Sequence, residues 1–437
     1  MSGLPGLRTA WRVLRAEGLR AVADRAADRL AEARRAHSFT PAPTGWRPAA
    51  PVQVLRLAAT PPAPRLGGVQ AQLLARLTAE ARQGPVALLY PTGSAWRLEV
   101  EAGGERRAVT FPGVATFEAA VRAAAELIGA QAVHAEGLAG LPFTSLRRLR
   151  HPNLRLILSL HDFAAFCQRP HLLEHPALRF CGYCRDLERC GRCLEQDGAF
   201  QAAWRQEAAE LLVEADALIF ASDFLLRAHR DLFPGLPLER SRVIAPAVEA
   251  GPSSKPSKPS KPPRPLRHVA LVGGVQAHKG ALVFADVVRR LAGSGLHWTA
   301  YGGGDATLLA ALRQLPGVRL RGYYRQHALR TLLWRDGVDL ALLLSIVPES
   351  YSLALGECVR AGVPVLGFDL GAPADRVPDL GAGRLVAPEA GAEGIAAALR
   401  TMLRDGKVPE VPADAAVRIP DAEAAAQAVR ELYRSLV

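Results

Sequence analysis

The sequence predicts an α/β protein made of two doubly wound, Rossmann-like domains. From residue 52 onwards short apolar runs alternate with helical segments, which is the pattern of βα units around a mainly parallel sheet. A run rich in Pro, Ser and Lys at 249–266 interrupts this alternation, and the same pattern resumes after it. The length of 437 residues is sufficient for two such domains.

The composition excludes several classes of protein. Hydrophobic residues make up 49% and charged residues 22%, as in ordinary globular proteins. The longest apolar runs fall far short of the roughly 18 residues that a membrane-spanning helix needs, and the N-terminal residues show no secretory signal. We therefore expect a cytoplasmic protein without an integral membrane segment.

The N-terminal segment, 1–45, is predicted to contain one basic amphipathic helix over residues 1–36. This helix carries eight Arg and four acidic residues. It could rest on anionic lipid headgroups, as a peripheral contact at the inner face of the membrane, or it could pack against its own domain or a partner. The four acidic residues favour packing, because they dilute the basic face.

The remaining elements follow in order. In the first domain, 46–248, strands are expected at 52–58, 85–90, 131–134, 154–160, 216–221 and 242–245, with helices at 69–83, 116–129 and 199–213. Residues 249–266 are a linker, because a repeat of Pro, Ser and Lys cannot form a core. In the second domain, 267–410, strands are expected at 268–273, 297–301, 317–321, 338–345, 364–367 and 383–386, with a helix at 279–292. Segment 411–437 should end in a helix over 421–435 that Asp421 caps.

The net charge of +12 favours contact with phosphates, nucleic acid or anionic lipid. A nucleic-acid-binding protein with a zinc loop is therefore one alternative. The arginines are scattered, and no basic stripe with interleaved aromatic residues appears. We accordingly expect no nucleic acid partner.

A glycine turn follows the first strand of the second domain, in LVGGVQAHKG at 271–280. Gly273 and Gly274 would let a phosphate approach backbone N–H groups, and Lys279 near the next helix would add a positive charge. The alternative is an ordinary βα turn with an exposed lysine. Lysine is scarce in this arginine-rich chain, which favours the phosphate site.

Two glutamates, Glu349 and Glu357, lie on either side of the predicted start of a helix after the strand at 338–345. Carboxylates at this edge of a sheet can accept hydrogen bonds from sugar hydroxyls, and free amides near Ser352 and Leu353 can bind a diphosphate. The spacing of this pair also arises often by chance.

In combination these motifs resemble the GT-B glycosyltransferases, specifically the retaining nucleotide-sugar enzymes of glycosyltransferase family 4. The resemblance rests on GGVQAHKG, on PESYSLALGECVRAGVPVLGFDLGAPADRV at 348–377 and on ASDFLLRAHRDLF at 221–233, and it covers most of residues 52–400. It implies two Rossmann-like domains that face a cleft. It also implies a nucleoside-diphosphate sugar as donor and a cell-surface polysaccharide or glycolipid as acceptor.

The resemblance also assigns roles to residues. Lys279 would hold the diphosphate, Glu349 would contact hydroxyls of the donor sugar, and Glu357 would contact the ribose. The donor site would further include Ser350, Tyr351, Ser352 and Leu353. A catalytic metal is not required, because Lys279 and helix N-termini can neutralise the leaving group.

The chain departs from the family in one place. Many relatives have an Arg shortly after the glycine of the first motif, where this chain has Val275, Gln276, Ala277 and His278. A non-catalytic partner on the same fold is therefore a further alternative, as is another enzyme of the same architecture, such as a nucleotide-sugar epimerase or a phosphorylase.

The first domain offers two candidate sites. His161 and Asp162 follow the strand at 154–160, at the edge where open α/β sheets bind ligands, and the resemblance places His161 beside the transferred sugar. Gly67 and Gly68 would form a glycine loop between the first strand and helix. Both pairs could instead serve only as loop caps or turn residues.

Four cysteines, Cys181, Cys184, Cys190 and Cys193, lie in a loop that we place at 167–193. Their C-x2-C-x5-C-x2-C spacing can supply four thiolates to a tetrahedral Zn²⁺. Such a structural zinc would leave no position open for substrate. Free or redox-linked thiols are the alternative.

Overall fold

The computed structural model describes residues 5–63, 67–111, 116–248 and 265–437, and most of the linker predicted at 249–266 lies outside these ranges. The chain divides into two compact units. The first unit comprises Ala31–Ala177, Cys181–Ala247 and Pro420–Val437, and the second comprises Met1–Leu30, Leu178–Phe180 and Val248–Ile419. None of the described helices combines the length and the apolar character needed to span a membrane.

The N-terminal segment forms two helices, α1 (Pro5–Glu17) and α2 (Leu19–His37), rather than the single helix that the sequence predicts. Gly18 separates them with a backbone φ of +92°. This left-handed conformation is open to glycine at little cost and is incompatible with a continuous right-handed helix.

The first sheet has nine strands in the order β1-β5-β4-β3-β2-β6-β7-β10-β11. From Thr40 to Val243 the elements are β1 (Thr40–Pro41), β2 (Val54–Leu57), α3 (Gly68–Ala81), β3 (Val86–Thr92), β4 (Ala95–Ala102), β5 (Glu105–Phe111), α4 (Phe117–Ile128), β6 (Ala132–Ala135), α5 (Phe143–Leu149), β7 (Arg155–Leu160), β8 (Leu173–Glu174), β9 (Arg179–Phe180), α6 (Leu187–Leu194), α7 (Gly198–Glu214), β10 (Ala217–Phe220), α8 (Asp223–Leu232) and β11 (Ser241–Val243). The predicted strands and helices are present.

The antiparallel pairing of β3, β4 and β5 was not predicted from the sequence. Strand β4, AWRLEVEA, alternates apolar and charged residues, whereas β3 and most of the other predicted strands are largely apolar runs. An antiparallel sheet can have one face in water, and alternation is its signature. Gly103 and Gly104, both with positive φ, make the turn between β4 and β5.

The second sheet is parallel throughout, with six strands in the order β14-β13-β12-β15-β16-β17. Its elements are β12 (His268–Val272), α9 (Ala281–Arg290), β13 (His297–Tyr301), α10 (Ala306–Arg313), β14 (Val318–Gly322), α11 (Leu329–Arg335), β15 (Leu340–Leu343), α12 (Leu353–Arg360), β16 (Val365–Phe368), α13 (Ala372–Leu380), β17 (Gly383–Val386) and α14 (Gly391–Asp405). Side chains of β12, β15 and β16 pack with those of α9 and α14 in one apolar core.

The last helix, α15 (Ala422–Leu436), belongs to the first unit. As the sequence predicts, Asp421 caps it, and its carboxylate accepts a hydrogen bond from the Ala424 N–H at 2.9 Å. Val429 and Tyr433 pack against apolar side chains of the first sheet. The predicted fold class, α/β with two doubly wound sheets, is confirmed.

Candidate functional site

The donor-binding residues predicted for the second unit follow strands that are neighbours in its sheet. Strand β12 pairs with β13 on one side and with β15 on the other, so successive connections diverge from it. In open α/β sheets a crevice forms at such a point, outside the carboxyl ends of the strands. Gly273 and Gly274 follow β12, and the segment with Glu349 follows β15. The predicted site therefore lies at this switch point.

Glycines allow two of the strand-end loops to touch through their backbones. Gly273 has φ of +125° and Gly302, after β13, has φ of +135°. A Cβ at Gly302 would lie 1.9 Å from the Gly273 carbonyl oxygen, which excludes any side chain there. The Val275 N–H donates to the Gly303 carbonyl at 3.0 Å. The result is a floor of bare backbone at the carboxyl end of β12.

Lys279 is brought to the end of β15 by its neighbours. A Cβ at Gly280 would lie 1.9 Å from the Leu344 carbonyl oxygen, so the turn before α9 packs directly on the chain after β15. The His278 carbonyl accepts hydrogen bonds from Ser345 Oγ at 3.1 Å and from the Ile346 N–H at 2.9 Å. These contacts fix the position of Lys279 between them.

Lys279 and Glu349 form an ion pair, with Nζ 2.7 Å from Oε1. The Glu349 side chain is 16% exposed and that of Lys279 is 37% exposed. Burial alone would raise the pKa of Glu349, but the Lys279 ammonium and the Ser352 hydroxyl both stabilise the charged form, and its pKa is lowered. The site thus presents an accessible cation beside a carboxylate that stays ionised.

Helix α12 begins directly behind this pair. Its first residues follow Ser352, which has φ of +65° and no side-chain cap to the helix amides. The Arg376 guanidinium donates to the carbonyls of Tyr351 and Ser352 and stacks on the Tyr351 ring, 3.6 Å from its centroid. Arg376, which the sequence analysis did not identify, therefore holds the loop in the strained conformation that leaves the first amides of α12 available.

Glu357 lies on α12, where the residue is buried. Tyr324, just after β14, donates its hydroxyl to the Glu357 carboxylate, and burial with this contact raises the pKa of Tyr324. Ser350, Tyr351, Ser352 and Leu353 form the loop and helix start between the two glutamates. The structure therefore brings together Lys279, Glu349 and the start of α12, with Glu357 one turn further along the same helix.

The candidate residues of the first unit lie at the carboxyl edge of its own sheet. His161 follows β7, and its Nε2 is buried without a hydrogen bond to any described residue. Burial lowers the pKa of His161 to about 4, against an opposing effect of Glu136, so the imidazole is neutral at physiological pH. Asp162 accepts a hydrogen bond from the Ala164 N–H at 2.8 Å and so caps its own loop. Gly67, with φ of +143°, precedes α3, and Gly68 is its first residue.

Beside His161 lies a buried group of charges that the sequence analysis missed. It contains two cations, Arg56 and Arg76, and two carboxylates, Glu80 and Glu136, all nearly inaccessible to solvent. Arg76 pairs with both carboxylates, and Arg56 pairs with Glu80. The sequence does carry a signal for it, because Arg56 interrupts an otherwise apolar strand.

The four predicted zinc ligands line one small cavity together with Cys167. In the described part of the chain, no group of three or more His, Cys, Asp or Glu side chains is arranged to hold a metal ion. The zinc prediction is therefore not supported. Two of the thiols instead donate to backbone carbonyls, Cys184 Sγ to Asp186 and Cys190 Sγ to Cys184, both at 3.6 Å.

The Cys167 thiol should react slowly with alkylating reagents. Burial raises the pKa of Cys167 to about 11, which lowers its thiolate fraction at pH 8 about a hundredfold relative to a thiol with its ordinary pKa. Because the thiolate is the reactive form, the modification rate of Cys167 should rise with pH up to about 11. Mass spectrometry of peptides after timed iodoacetamide treatment measures this rate, with urea-unfolded protein as reference. Equal rates in native and unfolded protein would contradict the burial of Cys167.

Comparison with known proteins identifies one domain. Residues 267–405 match the family model described as glycosyl transferases group 1. No match was found among curated protein sequences. Sucrose-phosphate synthase from Thermosynechococcus elongatus has a similar structure, with a TM-score of 0.62 and 16% identity over 88% of this chain and 99% of that one. The protein has the GT-B glycosyltransferase fold.

A second GT-B structure, Anabaena HepE in complex with UDP-glucose, has a TM-score of 0.59 and 15% identity, over 88% of this chain and 100% of that one. At such identities the likeness concerns the fold. In this GT-B protein the group 1 domain coincides with the second sheet and holds the Lys279–Glu349 pair. The residues that match the family model therefore include the candidate donor site.

Proposed function

We propose that the protein transfers a sugar from a nucleoside diphosphate to a glycan or glycolipid acceptor. The observation that carries the proposal is the Lys279–Glu349 pair, 2.7 Å apart at the switch point of a group 1 glycosyltransferase domain. This arrangement offers a cation for a diphosphate and an ionised carboxylate for sugar hydroxyls side by side. The complex of the similarly folded HepE with UDP-glucose supports the same class of donor.

Each residue has a distinct part in the proposed donor site. Lys279 and the first amides of α12 hold the diphosphate, because both present positive charge at the same edge of the sheet. Glu349 accepts hydrogen bonds from hydroxyls of the donor sugar. Glu357, which Tyr324 orients through a hydrogen bond, accepts one from the ribose. The loop from Ser350 to Leu353 lines the space between them.

The proposed reaction breaks the bond between the anomeric carbon and the diphosphate oxygen and forms one to the acceptor oxygen. The acceptor proton passes to the departing diphosphate, and the configuration of the anomeric carbon is retained. Lys279 stabilises the charge that develops on the leaving group, and Glu349 faces the developing oxocarbenium centre. The neutral His161, whose Nε2 has no partner among the described residues, binds a hydroxyl of the transferred sugar or acceptor. Asp162 positions the His161 loop.

We place this reaction in the cytoplasm, in building a cell-surface polysaccharide or glycolipid. All six cysteines of the chain are free, although five of them line the same cavity. Disulfides form and persist in oxidising compartments, and reduced thiols are the rule in the cytoplasm. Free thiols at such close quarters support a reducing environment.

The proposal is tested by thermal melting with a panel of nucleoside diphosphates and nucleotide sugars. One nucleotide family should stabilise the wild-type protein by about 2.7 kcal/mol at a hundred times its Kd. Lys279→Ala should lose this stabilisation, because it removes the diphosphate cation, and Glu357→Ala should weaken it. Release of free nucleotide that depends on added acceptor would then identify the transferase activity.

Two exposed residues of the second unit serve as matched controls. Lys407→Ala and Glu410→Ala remove the same charges away from the switch point, and both should retain the full nucleotide response. Equal losses in the control and site variants would place the donor elsewhere. A cooperative melt that no nucleotide shifts would contradict the proposed donor class.

A further inference from the structure

Helices α1 and α2 turn two acidic residues, Glu17 and Asp28, towards the loop after β14. Glu17 is buried, and its two oxygens accept hydrogen bonds from the Tyr323 N–H at 2.8 Å and from Arg25 Nη2 at 2.7 Å. Asp28 is also buried and accepts from the Tyr323 hydroxyl at 2.6 Å and from Arg325 Nε at 2.8 Å. These contacts anchor the segment on the loop after β14.

The other two acidic residues lie on the same side. Asp24, Asp28 and Glu32 are spaced four residues apart, which puts them on one face of α2. Asp24 and Glu32 are half-buried. In the structure, therefore, none of the four carboxylates of this segment is fully exposed, and the exposed side of the segment carries no acidic residue.

That opposite face is basic and apolar. Its exposed arginines and large apolar residues, which we name the outer face, are Arg12, Arg15, Arg20, Arg29, Trp11, Leu14, Leu19 and Leu30. The four apolar side chains are 53%, 40%, 74% and 52% exposed, in that order of residues. Between residues 11 and 30, all of which the structure describes, the exposed residues include no Asp or Glu.

We propose that the outer face docks on the surface of an anionic lipid bilayer. Single exposed apolar residues need no explanation, but here four of them lie among four exposed arginines on two successive helices, with no exposed acidic residue between residues 11 and 30. Arginines bind lipid phosphates, while Trp and Leu enter the boundary between headgroups and acyl chains. Arg15 stacks on Trp11, 3.4 Å from the ring centroid, so the charge and the apolar anchor lie together. The two interpretations of residues 1–36 are thus compatible: the buried side packs against the protein, and in this proposal the exposed side contacts lipid.

The inference goes beyond the proposed function and does not depend on it. If the acceptor is a glycolipid, docking through the outer face brings the enzyme to the membrane that contains the acceptor. If the acceptor is soluble, docking still fixes where the protein resides. Lipid binding and donor binding therefore need separate measurements.

The test is flotation of the full chain with vesicles of phosphatidylcholine and with vesicles in which about a third of the lipid is phosphatidylglycerol. We expect binding to the anionic vesicles alone and its loss in about 1 M salt, where the screening length is about 3 Å. The variant Arg12→Gln, Arg15→Gln, Arg20→Gln, Arg29→Gln should bind at least about a hundredfold more weakly, because each arginine contributes about fivefold. Leu19→Ser with Leu30→Ser should also weaken binding.

The control removes the same charge from other exposed arginines: Arg82→Gln, Arg148→Gln, Arg384→Gln and Arg404→Gln. It should retain vesicle binding. Equal losses in both quadruple variants, equal binding to neutral vesicles, or binding to a nucleic acid duplex but not to vesicles would overturn the proposal. Melting with nucleotide separates the two hypotheses, because the outer-face variants should keep the donor response of the wild type.

Discussion

Replacing Glu136 by alanine should lower the free energy of unfolding of the first unit by about 3 to 5 kcal/mol. The Glu136 side chain is inaccessible to solvent and pairs with Arg76, while Arg56 Nε lies 3.9 Å away. Glu136→Ala leaves two buried guanidinium groups with the single carboxylate of Glu80. An uncompensated buried charge is far more costly than the loss of an exposed ion pair, which is worth at most about 1 kcal/mol.

The pKa of Glu136 gives the same prediction a pH dependence. Burial alone would raise it, but the charges of Arg76, His134 and Arg56, together with the hydrogen bond from Arg76, outweigh burial and hold the pKa at about 2, below the ordinary value of 4.5. A carboxyl with a depressed folded pKa contributes its full stability above pH 4.5 and loses it as the pH falls towards 2. Acid should therefore destabilise the wild-type protein more than Glu136→Gln, which has no charge to lose at this position.

Urea unfolding followed by circular dichroism measures this effect, with Glu239→Gln as control. Glu239 is 72% exposed in its pair with Arg240 and belongs to the same unit. The control should change stability by less than about 1 kcal/mol. In Arg76→Met with Glu136→Met both partners become apolar, and this double variant should recover part of the loss. A loss with Glu136→Ala no larger than the control would mean that water reaches this group.

Most of the strands that the sequence predicts are buried on both faces, as β2, β6, β7, β10 and β12 are. Such a strand is a continuous apolar run, as in LRLILSL at 154–160, and burial of both faces is typical of parallel sheets. Strand β4 breaks this rule, because its alternate residues Arg97, Glu99 and Glu101 are charged, and β5 breaks it because it begins with three charged residues at 105–107. Alternation over one strand does not identify its partner, so the antiparallel hairpin became visible only in the structure.

For the candidate donor site, the sequence predicts which motifs come together but not all of the residues that hold them in place. Lys279 and Glu349 are 70 residues apart in the chain, yet parallel strands place their carboxyl ends at one edge, so the two motifs were expected to meet. Arg376 and Tyr324 could not be predicted in this way. Arg376 acts on backbone carbonyls and Tyr324 acts on Glu357, and no motif in the sequence records either contact.

The charges of the N-terminal segment illustrate the same limit. Counting eight arginines and four acidic residues over 1–36 suggests a diluted basic helix. In the structure, however, Glu17 and Asp28 are buried and accept hydrogen bonds from Tyr323 and Arg325, respectively. Which face a charge occupies depends on what the helix packs against, and that is a long-range property that composition does not contain.

Replacing Gly280 by alanine should destabilise the second unit by about 3 kcal/mol or more and weaken donor binding with it. Gly280 has φ of +79°, and a Cβ there would lie 1.9 Å from the Leu344 carbonyl oxygen and 2.7 Å from its carbonyl carbon. The close neighbour is backbone of the chain after β15, which cannot rotate away as a flexible side chain could. The turn must move as a body, and Lys279 would move with it, away from Glu349.

Gly337→Ala separates the effect of the clash from that of backbone strain. Gly337 also has a positive φ, +67°, but nothing lies within 4 Å of the position of its Cβ. This control should cost only the strain of a left-handed alanine, about 1 to 2 kcal/mol, and should keep the nucleotide response. Comparison of the two variants by thermal melting, with and without nucleotide, therefore reports on the packing of the Lys279 turn against β15. Equal destabilisation by both, with the nucleotide response intact, would show that this turn has room to move and that the position of Lys279 does not depend on Gly280.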